Sequence, residues 1–328
     1  MREGPGMEGV VRLIREDLDK LENSIEKLLT TRVAFIRDVV HHLVKSGGKR
    51  IRPILVILSS KLCGYEADGH LPYAAIVEFI HTATLLHDDV VDNAETRRGT
   101  ATANTVWGNE SSVLVGDFLF SKSFDLMVSG GNEEILKVMS KATTDLAEGE
   151  ILELLKTSDA KTLEEEYFEV IGCKTAVLLS AACEIGALLG KVDDEKRRAL
   201  RDFGYHVGMA FQLTDDLLDY TSSGKTLGKD AGRDLKEGKV TLPLIHALKS
   251  ATGEEKTFIE EGLTKKRVTG KDFRTIKRII EKYEGLDYTA ELSRGHISCA
   301  RELLAKFPDS PYKSALLDLA NHIVEREA

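Results

Sequence analysis

Two stretches of the chain repeat one acidic spacing: Asp88, Asp89 and Asp92 in LLHDDVVD, and Asp215, Asp216 and Asp219 in FQLTDDLLD. Both lie in strongly apolar sequence. Vicinal aspartates there repel one another, weaken a helix, and would each cost several kcal/mol if buried without compensation. In a helix, positions i and i+4 share a face while i+1 points about 100° away, so each pentad projects two carboxylates together and a third alongside. Two such clusters, facing one another, would hold metal ions between them. Mg²⁺ suits them, because it takes a few carboxylates, keeps waters, and accepts oxygens from a phosphorylated substrate. One acidic pentad is weak evidence, since acidic runs commonly occupy solvated faces. Two, each near the C-terminal end of an apolar helix and each followed by a basic loop, call for a chemical explanation.

The elements that must position these pentads also carry cations. Helical periodicity runs from about Val10 to Val44, and SGGKRIRP then interrupts it. Gly47 and Gly48 end one helix, and Pro53 fits the first turn of the next. Lys49, Arg50 and Arg52 beside helix-start amides suit a diphosphate, although on these residues alone a solvated turn is the simpler reading. The helix predicted from Tyr73 to about Val91 is apolar nearly all round. It places His81 two turns before Asp88 on the same face, either as a hydrogen-bonded core residue or as a ligand contact. Past the pentad, NAETRRGTATAN reads as a polar loop whose Arg97 and Arg98 suit bidentate phosphate contacts. A helix from about Ser111 to Val128 follows, with Phe118, Phe120, Phe124 and Met127 most simply as core. A polar turn is expected near 158–165. Lys174 and Thr175 then open the apolar run Ala176–Gly190, and the lysine is either a surface residue or a phosphate contact. A second core helix, Phe203–Tyr220, ends in the second pentad and runs into SSGKTLGKDAGRDLKEGKVTLP, whose Lys225, Lys229 and Lys239 match no P-loop. Amphipathic helices separated near Gly270, Gly285 and Pro308 complete the chain without a chemical signature.

No Pro-, Gly- or Ser-rich linker divides the 328 residues, six prolines interrupt them, and apolar residues recur at i, i+3 and i+4. The expectation is one all-α domain over 1–328, with residues 1–30 forming an amphipathic helix packed on it. A net charge of −9, with basic residues dispersed, gives no reason to expect nucleic acid. Cys63, Cys173, Cys183 and Cys299 show no metal spacing and read as reduced thiols of a cytoplasmic protein. The N-terminus has no secretory core, and Ala176–Gly190, which includes Glu184, is short for a membrane span.

In this order and spacing, GGKRIRP, EFIHTATLLHDDVVD, RRGTATAN, VLVGDFLF, KTA, FQLTDDLLDY and LGKDAGRDLKEGKVTLP resemble the trans-type polyprenyl diphosphate synthases along nearly the whole chain. The pattern is most similar to the long-chain branch, typified by bacterial octaprenyl enzymes that make quinone side chains. The resemblance implies an all-α bundle of the isoprenoid synthase type around a central cavity. It implies catalytic roles for Asp88, Asp89, Asp92, Asp215 and Asp216 with Lys174 and Lys229, and three Mg²⁺ ions on Asp88, Asp92 and Asp215. Arg97, Lys174 and Lys229 match contacts to the allylic diphosphate, and Thr175, Gln212 and Lys239 match further ones. Lys49, Arg52, His81 and Arg98 match the isopentenyl diphosphate site. A homodimer is implied, and a product passed on to the membrane. The implied reaction ionises farnesyl or geranylgeranyl diphosphate and alkylates successive isopentenyl diphosphates, giving an all-trans product of octaprenyl length. Thr84 and Ala83, four and five residues before Asp88, stand where short-chain relatives tend to carry aromatics, which predicts an open tunnel whose floor is formed by Phe120, Phe124 or Met127, unless these are plain core.

Rival readings are a shorter-chain geranylgeranyl-type synthase, a terpene cyclase, a non-catalytic synthase subunit, and a metal-dependent phosphohydrolase using His41, His42 and His87-Asp88. A cyclase would carry a different second metal motif, a silent subunit would not keep complete motifs, and a phosphohydrolase leaves the second pentad unexplained.

Overall fold

The computed structural model describes residues 5–45, 47–48, 50–221, 232–265 and 268–325. Among them the chain is helical apart from one two-stranded hairpin, Thr96–Arg97 paired with Thr100–Ala101. It divides into two compact units. The first comprises Met1–Thr143, Leu178–Arg201 and Leu304–Leu319, and the second Thr144–Val177, Asp202–Leu303 and Ala320–Ala328.

In the first unit the central helix is His70–Val91, with Tyr73, Ala74, Ala75, Ile76, Val77, Phe79, Ile80, Ala83 and Leu86 buried. Burial round most of the helix follows from its largely apolar sequence, while Glu78, His81, Thr84 and Asp88 keep one face partly exposed. Asn109–Gly130 lies against it. A Cβ on Gly116 would overlap the His87 imidazole, and one on Gly130 would meet the Tyr73 hydroxyl at 2.8 Å, so the two helices run antiparallel. Ile51–Leu62 packs on the central helix too, and Gly186 admits Ser59 so that the buried segment Leu178–Ala187 closes on it.

Three local expectations are corrected here. The stretch read as one helix from Val10 to Val44 is three, Pro5–Leu13, Arg15–Leu28 and Ala34–Lys45. It breaks at Ile14 and again before Val33, whose amide donates to the Thr31 hydroxyl at 3.1 Å. The polar loop after the first pentad contains the hairpin, with Arg98 and Gly99 at φ 53° and 76°, the left-handed pair that a type I′ turn needs. Glu164–Leu189 is a continuous 26-residue helical run, long and apolar enough to cross a membrane, but 72% of its most apolar window is buried, as in a core helix.

In the second unit, Tyr167, Ile171, Met209, Leu213, Tyr220, Leu242, Ile245, Ile259, Ile276 and Ile280 belong to one core. That long run changes pitch at Gly172–Ala176, a π-helical turn of the kind that often marks a functional position. Glycines hold it from two sides: a Cβ on Gly149 would lie 2.8 Å from the Lys174 nitrogen, and one on Gly208 would lie 3.0 Å from Ala176 Cβ. The helix carrying the second pentad, Asp194–Thr221, is braced by the C-terminal region. Fully buried Thr214 and Ser293 meet hydroxyl to hydroxyl at 2.9 Å, and Ser293 donates to the Ala210 carbonyl at 3.1 Å.

Candidate active site

Both pentads are oriented the same way. Asp88 and Asp92 are partly exposed and Asp89 is fully buried; Asp215 and Asp219 are partly exposed and Asp216 is buried. The 100° step between neighbouring helical residues accounts for the inward turn of each second aspartate. Asp89 accepts from Arg97 Nε and Nη2 at 3.0 and 2.9 Å, and its backbone carbonyl accepts from Asn104 Nδ2 at 3.2 Å. Asp216 accepts from the Tyr167 hydroxyl at 2.6 Å and from Gln212 Nε2 at 2.8 Å, while Gln212 Oε1 accepts from the Thr175 hydroxyl at 2.8 Å.

Beside the first pentad, His81 lies in a field of guanidinium groups. Burial, then Arg52, Arg97, Arg98 and Arg50, push its pKa well below the usual histidine value, so the ring is neutral. Arg50 starts its helix in the left-handed conformation, at φ 50°, and is fixed by Glu78 at 2.5 Å and Glu22 at 3.2 Å. Arg98 occupies the hairpin turn, with its Nη1 3.0 Å from where a Cβ on Gly48 would stand, which joins the diglycine to the arginine pair. Thr84 is partly exposed and donates to the His81 carbonyl at 2.8 Å, whereas Ala83 is fully enclosed. Phe120 stacks on His87 with ring centroids 6.0 Å apart, and Met127 is buried.

In the second unit a cavity of about 120 Å³ lies among Tyr167, Lys174, Thr175, Gln212, Asp216, Asp234 and Lys239. Lys174 is gripped by Glu150 at 2.8 Å and Glu153 at 2.6 Å, and Lys239 pairs with Glu237 at 2.9 Å. Carboxylates are in excess. Asp216 is pushed up to about 7 by burial, with Asp215 and Glu153 adding repulsion against the Tyr167 and Gln212 hydrogen bonds. Asp234 is pushed well above the carboxylate range by burial, then by Asp219 and Asp216. Such crowding fits an added cation. Among the described residues no three His, Cys, Asp or Glu side chains form a ready-made metal cluster.

Arg52, His81, Arg97 and Arg98 therefore gather in the first unit, and Lys174, Thr175, Gln212, Asp216 and Lys239 in the second. Lys49 and Lys229 lie outside the described residues. Sequence reasoning missed Tyr167, Glu150, Glu153 and Asp234. Tyr167 had a usable signal, since it stands two helical turns before Lys174.

The polyprenyl synthetase family profile matches residues 33–281. The chain belongs to that family. It is 40% identical over 324 residues to the octaprenyl diphosphate synthase of Escherichia coli, covering 98% of this chain and 99% of the relative. Its fold matches a decaprenyl diphosphate synthase from Rhodobacter capsulatus with a TM-score of 0.94 at 40% identity, covering 98% and 99% of the two chains. It matches equally a polyprenyl synthase from Caulobacter crescentus complexed with calcium and isoprenyl diphosphate, with a TM-score of 0.94 at 41% identity over the whole of both chains. The all-α isoprenoid synthase fold of these polyprenyl synthases is thus the fold of this chain, which is a prenyl-transferring enzyme of the polyprenyl synthetase family.

Proposed function

We propose that the enzyme condenses an allylic diphosphate, farnesyl or geranylgeranyl, with successive isopentenyl diphosphates to give an all-trans polyprenyl diphosphate of octaprenyl length for quinone side chains. The observation that carries this reading is the gathering of Arg50, Arg52, Arg97 and Arg98 around His81, on the helix whose end presents the partly exposed pair Asp88 and Asp92. Concentrated guanidinium groups suit a diphosphate, and a neutral imidazole donates a hydrogen bond to it without adding charge. Similarity to an octaprenyl synthase supports the product class.

Mg²⁺, three ions held by Asp88, Asp92 and Asp215, would supply electrostatic stabilisation to the departing diphosphate. Arg97, Tyr167 and Gln212 hold the second aspartate of each pentad, and so fix the helix faces that present the first. Arg97, Lys174, Lys229 and Lys239, with Thr175 and Gln212, bind the allylic diphosphate; Lys49, Arg52, His81 and Arg98 bind isopentenyl diphosphate. As the allylic C–O bond breaks, its electron pair leaves with diphosphate. The isopentenyl double bond attacks the resulting carbocation, and the new unit then loses a proton to the departed diphosphate.

We read the enzyme as a single functional domain, a cytoplasmic homodimer that passes its product to the membrane. Exposed Val106, Val113, Leu114 and Val128 on and beside Asn109–Gly130 favour a protein interface there. Incubation of purified protein with farnesyl diphosphate, isopentenyl diphosphate and Mg²⁺ should give a product ladder ending at octaprenyl length. Absence of elongation would refute the reading.

A further inference from the structure

Asp219, the last aspartate of the second pentad, already has a task inside the protein. Its Oδ1 accepts the Arg233 amide at 3.0 Å and its Oδ2 accepts the Asp234 amide at 3.1 Å. Its own carbonyl accepts the Gly232 amide at 3.0 Å. Gly232 sits at φ 77°, where a Cβ would drive into the Phe273 ring, and Phe273 stacks on Tyr220 with centroids 6.0 Å apart. Three amides and a ring stack therefore fix the backbone at 232–234. From there the order passes on, because the Asp234 carbonyl accepts the Lys239 amide at 2.8 Å, and both side chains line the cavity that holds Lys174, Gln212 and Asp216. A carboxylate that accepts two backbone amides is a strong anchor, since charge-assisted hydrogen bonds are about twice as strong as neutral ones.

We propose that Asp219 is a positioning residue for the allylic-diphosphate side of the site, acting through Arg233 and Asp234 on Lys239, and that the cation of the second pentad is held by Asp215 without it. The repeat is thus asymmetric in use: one carboxylate outward to the cation, one inward to Tyr167 and one backward to its own loop. This rests on the prenyl-transfer reading above for its kinetic consequence but not for its structural one.

The test compares Asp219→Asn with Asp215→Asn in the full-length enzyme. Three quantities are read: hydrogen exchange at residues 232–239, the Mg²⁺ concentration giving half-maximal rate, and the KM for farnesyl diphosphate. Asp219→Asn should speed exchange at Arg233 and Asp234 and raise that KM, each about tenfold, the size of one lost charge-assisted hydrogen bond. Half-saturation by Mg²⁺ should stay within about twofold. Asp215→Asn should instead shift Mg²⁺ half-saturation and leave exchange at 232–239 unchanged, and in a Lys239→Ala background Asp219→Asn should add little to KM. The proposal is overturned if Asp219→Asn leaves exchange at 232–239 unchanged, or shifts Mg²⁺ half-saturation as far as Asp215→Asn does. Because exchange needs no turnover, an enzyme that fails to elongate would sink the functional reading and leave this one still decided.

Discussion

Arg97 places Nε and Nη2 on one oxygen of Asp89, and that carboxylate has no exposed surface. A residue of the hairpin thereby compensates a charge that the central helix has turned away from solvent, and the hairpin is tied to the helix it follows. Removing Arg97 would leave the charge buried and uncompensated. Arg97→Ala is expected to destabilise the protein by roughly 3–5 kcal/mol in urea denaturation. Arg97→Lys should recover only part of this, because an ammonium cannot reproduce the two-pronged contact.

Gly116 has a similar structural duty on the opposite helix. His87 occupies the notch it leaves, stacks on Phe120, and precedes Asp88 directly. Gly116→Ala gains about 1 kcal/mol in helix propensity yet forces the helices apart, so the expected net is a loss of about 1–3 kcal/mol. A lower melting temperature and reduced prenyl transfer would be seen together. An unchanged or raised melting temperature would show that the notch is not needed.

Much of the site was legible because its chemistry is written at helical spacing. The aspartates within each pentad, and His81 with Asp88, keep their relation wherever the helices go. What stayed hidden depends on separate segments meeting. Tyr167 matters because its helix lies beside the one carrying Asp216, and Glu150 and Glu153 because Gly149 lets their helix approach the π-helical turn at Lys174. The break at Ile14 has no glycine or proline to announce it. Gly116 did carry a signal, since a glycine inside an apolar helix costs about 1 kcal/mol and implies a packing reason.

His206 and His296 meet Nδ1 to Nδ1 at 2.8 Å, which requires a single proton between them. Burial, then His206, pushes His296 down to about 4, and burial also lowers His206 against the opposing pull of Asp202. The unfolded chain takes up protons near the ordinary histidine pKa of about 6.5, while His296 in the folded protein resists until about pH 4. Between those values the unfolded state binds more protons, so stability rises with pH across the window and is lost as pH falls through it. Because the rings are only part-buried, the effect is about 1–2 kcal/mol, less than the full shift implies. Denaturation of His296→Asn at pH 7 and pH 4.5 should show a weaker pH dependence than the parent, and an identical slope would assign it elsewhere.

Product length can be tested on the central helix, where the two small residues below Asp88 differ in their surroundings. Ala83 is fully enclosed, one turn back from His87, and Phe120 lies one turn along from Gly116 on the antiparallel neighbour. An aromatic at Ala83 must displace packed atoms and would cost stability together with product length, typically about 1–3 kcal/mol. Thr84 is partly exposed on the face that carries His81 and Asp88, so it has room for a larger side chain. A helical turn rises about 5.4 Å, comparable to one extended isoprene unit, so a ring at Thr84 would meet the growing chain within its first additions. Thr84→Phe should therefore shift the main product to a much shorter chain while changing the melting temperature little. Ala83→Tyr should shorten the product and lower the melting temperature together. If the product chromatogram of Thr84→Phe matches the parent, the tunnel does not descend along this face of the helix.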